Sequence, residues 1–204
     1  MAGTELGWKP AFDEGARLLA SSHDWTGIKA ALTLPKEFAS PNKESYFNFY
    51  LGMNGAHSTI EAGVSYSENV SKYSEAGWHA FINIDGMGTN TAINLTAGET
   101  IVLSLELTKG SVKLACNKFT LPARPTSLAS GAAKMCIALH EDKKADRTTW
   151  FDQATFNCQE LKSGKSFQSV GQAKVRFGQS QIDLKNMTAS FGATNMTARM
   201  PKPK

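Results

Sequence analysis

The chain has 204 residues, 41% of them hydrophobic and 20% charged. That describes an ordinary globule long enough to bury a core in one all-β domain, and it excludes a disordered or fibrous chain. No run approaches about 18 uninterrupted apolar residues, which excludes a membrane-spanning helix. The net charge of +4, from 22 basic and 18 acidic residues, is spread too thinly for the dense basic face of a nucleic-acid reader.

Residues 1–24 read as an N-terminal extension. Met1-Ala2-Gly3-Thr4 has no basic and apolar regions behind it, so no signal peptide is expected. Within the extension the pattern is ambiguous: residues 10–14 suit a short helix opened by Pro10, or residues 16–20 instead suit an edge strand. Residues 25–35 alternate Ile28, Ala30, Leu32 and Leu34 before Pro35 closes the strand. Three consecutive strands follow and organise the rest. Residues 46–53 are aromatic and end at Asn54-Gly55. Residues 59–67 alternate Ile60, Ala62, Val64 and Tyr66 against Glu61, Gly63, Ser65 and Ser67. Residues 77–84 alternate Trp78, Ala80, Ile82 and Ile84 against His79, Phe81 and Asn83. Period-two patterning bounded by Gly/Asn loops is the strand signature.

Residues 85–91 read as a Gly/Asn turn cluster, and 92–95 and 99–108 as strands. A hairpin at Lys109-Gly110 leads into 111–115, and 119–121 extend the pattern before Pro122 and Pro125 impose a loop. Residues 134–140 are near-continuously apolar, as suits a strand covered on both faces. Residues 141–147 read as a charged turn, 149–156 as a strand and 162–165 as a turn. Short strands are expected at 173–177, 181–184, 188–191 and 195–200, the last two as one hairpin around Gly192. Residues 201–204 form a basic tail. About a dozen short strands with almost no helix make a single-domain, two-sheet antiparallel β-sandwich of the jelly-roll, concanavalin A-like kind.

Cys116, Cys136 and Cys158 have no close spacing, which excludes a CxxC metal or redox motif. Cys136 and Cys158 fall in strands and read as buried free thiols, with one disulfide plus one free thiol as the alternative. Asn-x-Ser/Thr triplets at Asn69, Asn94, Asn186 and Asn195 are glycan acceptors only in a eukaryotic secretory pathway. No cofactor motif is present. The histidines lack the spacing of a zinc site, and Asn83 with Asp85-Gly86 reads as a turn rather than a calcium loop. Glu61 stands apart, as the charged residue of a strand in which Ala62 and Gly63 flank it. A Gly beside a polar residue in a sheet marks close approach by a ligand, or else Glu61 faces bulk solvent.

In chain order, the strand closed by Pro35, the aromatic strand ending Leu51-Gly52-Met53-Asn54-Gly55, the run Ile60-Glu61-Ala62-Gly63-Val64, the Trp78 strand and a Gly98-Glu99 turn resemble the fungal and bacterial glutamic peptidases, the eqolisins. The likeness covers roughly half of the chain. It implies a concanavalin A-like sandwich with a groove. It also implies that the family's catalytic glutamine falls on Glu61, its groove tryptophan on Tyr50 and its catalytic glutamate on Lys134. A glutamic peptidase needs an acid to activate water and an amide to stabilise the oxyanion. A carboxylate at position 61 therefore speaks against that mechanism.

Three functional readings follow. The first is a non-catalytic, lectin-like module that engages a glycan, peptide or other extended polymer through Asn48, Tyr50, Glu61, Trp78 and Lys134, with Trp150 as a further strand aromatic. The second is a hydrolase pairing Glu61 with Asp152. The third is a membrane-active or toxin-like sandwich. No cofactor or metal is expected in any of them.

Overall fold

A computed structural model describes residues 14–42, 45–69, 75–140, 148–182 and 186–203. The strands in chain order are β1 (Glu14–Ala20), β2 (Gly27–Thr33), β3 (Phe38–Ala39), β4 (Tyr46–Asn54), β5 (Thr59–Ser67), β6 (Gly77–Ile84), β7 (Met87–Ile93) and β8 (Thr100–Thr108). They continue with β9 (Ser111–Cys116), β10 (Arg124–Pro125), β11 (Ala132–His140), β12 (Trp150–Ser163), β13 (Ser166–Ser169), β14 (Phe177–Ile182), β15 (Thr188–Phe191) and β16 (Asn195–Met200). One short helix, α1 (Val170–Ala173), interrupts them; Ser169 and Gln172 close its first turn as a reciprocal capping box.

The strands form two antiparallel sheets. The first runs β14-β1-β11-β4-β5-β6-β7, and the second is built on β10-β9-β8-β2-β12-β16-β15, with β3 and β13 also pairing β12. Alternation explains the layering. On β5, Ile60, Ala62 and Val64 are fully buried between the sheets, and the intervening residues face outward. Phe47 and Phe49 of β4 meet Phe151 of β12 across the core at ring-centroid distances of 5.5 and 5.6 Å. Burying such rings against one another is the main apolar force holding the sheets together.

Several expectations are corrected. The N-terminal extension ends sooner than expected, because Glu14 opens β1. That strand is not an edge, since it pairs with both β11 and β14. The helix expected at 10–14 falls outside the described residues as far as residue 13, and the charged turn at 141–147 lies wholly outside them. The turn at 85–91 shrinks to Asp85 and Gly86, whose φ angles of 53° and 86° make a two-residue hairpin. Residues from Met87 onward are strand because such a turn re-pairs the chain at once. The strand expected at 173–177 is instead α1, then Lys174 in the left-handed region at φ 48°. The strand after it begins only at Phe177.

Candidate functional site

Register across the first sheet fixes which side chains share its outer face. One row runs Leu19–Lys134–Gly52–Glu61–Asn83 over β1, β11, β4, β5 and β6. The next runs Ser180–Arg17–Cys136–Tyr50–Gly63–Phe81. A third places Ala138, Asn48, Ser65 and His79 side by side. Asn48, Tyr50, Glu61 and Lys134, all picked out from the sequence, therefore belong to one surface.

Two glycines shape this surface. Lys134 reaches across β4 because position 52 has no side chain: a Cβ there would lie 2.4 Å from Lys134 Cε and 2.5 Å from the Ile60 carbonyl oxygen. Over that gap Lys134 Nζ donates to Glu61 Oε1 at 2.9 Å. The lysine side chain is 0% exposed and that of Glu61 18%. Gly63 does the same for Tyr50. A Cβ at 63 would lie 2.2 Å from the Phe49 carbonyl oxygen and 2.7 Å from Tyr50 Cβ. The Tyr50 ring packs edge-on to Phe81 at 6.1 Å, and Lys134 Nζ lies 5.5 Å from its centroid. An ammonium over an aromatic face gains electrostatic attraction on top of its ion pair.

The electrostatics follow from burial. Burial pushes the Tyr50 phenol well above its ordinary value, and the neighbouring Cys136 thiol and Glu61 carboxylate act in the same direction. Among the described residues the buried Tyr50 hydroxyl and the buried side-chain oxygens of Asn48 and Asn83 have no hydrogen-bond partner of good geometry, although Cys136 and Glu61 lie close to the phenol. Burial raises the Cys136 thiol to about 12, against the opposing pull of Tyr50 and Lys134. The thiol is therefore protonated and inert rather than nucleophilic. Beside it, Arg17 Nε donates to Ser180 Oγ at 3.0 Å.

Other candidates lie elsewhere. Trp78 is on the inner face, 6% exposed, in an edge-to-face cluster with Phe38 and Phe47 at 5.4 and 5.8 Å. Its alternation partners Ala80 and Ile82 are core residues, so their neighbour Phe81 takes the outer position expected of the tryptophan. Asp152 is exposed on β12 of the second sheet, where its Oδ1 accepts from the backbone N–H groups of Lys36 and Gln153 at 3.0 and 2.7 Å. It forms no carboxylate pair with Glu61. Trp150 is also on β12, with Lys202 Nζ 5.2 Å from its ring centroid. Tyr50 is on the outer face but only 1% exposed, so it is a wall of the site and not a free stacking platform. The register instead sets His79, Phe81 and Asn83 of β6 on the outer face, opposite Ser65, Gly63 and Glu61. The signal was present in β6, where one alternating set is uniformly apolar and the other mixed. Asp85 accepts from the Ser58 hydroxyl and the Thr59 N–H, as a turn aspartate does. Among the described residues no group of three or more His, Cys, Asp or Glu could hold a metal ion.

No protein-family model and no curated protein matches the sequence. Solved structures do match in three dimensions. Scytalido-glutamic peptidase with a transition-state-analog inhibitor superposes with a TM-score of 0.62 at 13% identity, over 94% of this chain and 99% of that one. SCP-B, a member of the Eqolisin family in a complex with the tripeptide Ala-Ile-His, gives 0.59 at 13% identity over the same shares. A tetrameric galectin from the ball sponge Cinachyrella sp. gives 0.43 at 11%, over 73% of this chain and 98% of that one. At such identities the shared property is architecture: the chain has the two-sheet, jelly-roll β-sandwich fold of the glutamic peptidases.

Proposed function

We propose that the protein is a non-catalytic, lectin-like binding module that engages a glycan or another extended polymer on the outer face of the seven-stranded sheet. The observation that carries this reading is the ion pair between Lys134 and Glu61. The resemblance assigns these two positions to the catalytic glutamate and glutamine of the glutamic peptidases. A hydrolase of that type needs a carboxyl group free to take a proton from water and a neutral amide facing the developing oxyanion. Here the carboxylate is already held by an ammonium, and the acid position itself carries that ammonium. Two charges locked on each other satisfy one another and build a fixed wall.

The same surface is supplied with acceptors. Glu61 retains part of its exposure, and Asn48 and Asn83 beside it are half-buried. Such groups suit the hydroxyl or amide donors of a polymer laid across the strands, and the half-buried ring of Phe81 offers an apolar contact. The test is a glycan-array screen beside a proteolysis assay on denatured protein at acid pH. Binding that weakens by roughly fivefold to tenfold in Asn83→Ala or Asn48→Ala, the loss of about one hydrogen bond, is the expected result. Robust turnover abolished by Glu61→Gln would replace this reading with a hydrolase.

A further inference from the structure

We infer that β7 is a self-association edge, through which two copies of this chain join their seven-stranded sheets about a two-fold axis at Asn90. Among the described residues β7 ends the sheet, and its residues are exposed from Met87 through Ala92. Edge strands are ordinarily guarded by charge, proline or brevity. The second sheet shows such guards: β10 is two residues long and contains Pro125, and β15 has four residues. β7 has seven residues, Met-Gly-Thr-Asn-Thr-Ala-Ile, with no charge and no proline.

The hairpin geometry shows which main-chain groups are available. Asp85 N donates to the Thr59 carbonyl at 3.0 Å, toward β5. Ile84 therefore turns its own groups toward Met87, as the closing pair of a two-residue hairpin does. Alternation along the Ile84↔Met87, Ile82↔Thr89 and Ala80↔Thr91 ladder leaves the N–H and C=O groups of Gly88, Asn90 and Ala92 pointing away from β6. Centred on Asn90, an antiparallel copy sets Asn90 against the partner's Asn90 and Gly88 against the partner's Ala92. Every outward main-chain donor then meets an acceptor, and β7 itself brings no charge to the seam, although Arg124 of β10 donates to Thr89 Oγ1 at 2.9 Å beside it.

A second observation points to the same register. Met87 is 69% exposed and is the exposed large hydrophobic side chain among the described residues. The two-fold pairing places it opposite the partner's Ile93, in a non-hydrogen-bonded pair where side chains approach most closely. Ile93 is half-buried there, beside Trp78 and Leu95 at a cavity of about 320 Å³. Thr89 and Thr91 pair between these ends, a favourable cross-strand match. Pairing β7 with β14 of a neighbour would instead run on into an open filament, whereas β7 on β7 closes.

Sedimentation velocity on the full chain tests this, together with amide exchange. The expected result is a dimer whose share rises with concentration, with exchange at Gly88, Asn90 and Ala92 slowed by about tenfold or more. Asn90→Pro removes an outward donor without breaking the ladder to β6, and Met87→Lys adds a guard at an already exposed position. Both are expected to be monomers with the wild-type circular-dichroism spectrum. A wild-type monomer at every concentration up to about 0.1 mM overturns the inference. So does a dimer that survives in Met87→Lys and Asn90→Pro, or one in which the three amides exchange as fast as in the monomer.

Discussion

The Lys134–Glu61 pair makes an asymmetric prediction about stability. Lys134 is fully buried and Glu61 retains 18% of its side-chain exposure. Removing one partner of a buried pair costs about 3–5 kcal/mol, because the other charge is left desolvated. Glu61→Gln takes the carboxylate away from a fully buried ammonium and is expected to fall in that range. Lys134→Met keeps most of the apolar stem over Gly52 and leaves a carboxylate that water already reaches, so about 1–2 kcal/mol is expected. The double variant removes both charges from the same space. It is expected within about 1 kcal/mol of wild type, as when a buried pair is replaced by uncharged groups of similar volume. Urea unfolding of the four proteins, with slopes compared to confirm a common transition, gives the double-mutant cycle. If Lys134→Met is the more damaging single change, or if the double variant loses the sum of the two, the pair is not a coupled buried unit and the argument from its burial fails.

Gly63→Ala should lower stability by at least about 3 kcal/mol or prevent folding, because the added Cβ meets backbone atoms of Phe49 and Tyr50 at 2.2 and 2.6 Å that cannot swing away. Gly178→Ala, whose Cβ finds only a carbonyl oxygen at 3.7 Å, should be near neutral in the same melting experiment. Thiol labelling of the folded protein should modify half-buried Cys116 first. Cys136 and Cys158, both buried and both raised to about 12, should follow only on the timescale of unfolding, as mass spectrometry of timed samples would show. Burial lowers His79 below its ordinary 6.5, against the opposing Gly77 carbonyl and Glu75. The unfolded chain then binds the extra proton, so stability should fall as pH drops through about 6.5. His79→Gln should flatten that part of the pH–stability curve, and an unchanged slope would remove His79 as its source.

Much of the architecture is written locally. Period-two alternation determines a strand and its two faces from neighbouring residues alone, so β2, β4, β5, β6 and β11 were legible, as was the near-absence of helix. The near-continuous apolar run containing Lys134 also announced a strand covered on both faces, as β11 is. Where the chain was misread, the competing signal was also local. Gly and Asn in 85–91 suggested a long turn, although a two-residue hairpin needs only Asp85 and Gly86. What no local pattern contains is which distant strands lie side by side. Lys134 and Glu61 are 73 positions apart, and nothing in either strand says that β11 lies next to β4 and β4 next to β5. Only the assembled sheet sets Gly52 between them and lets a lysine from an apolar run reach a carboxylate two strands away. The same holds for Tyr50, which the sequence offers only as a candidate ligand-binding aromatic. The sheet instead presses it onto Gly63 beneath Lys134 and against Phe81, because its surroundings come from three other strands.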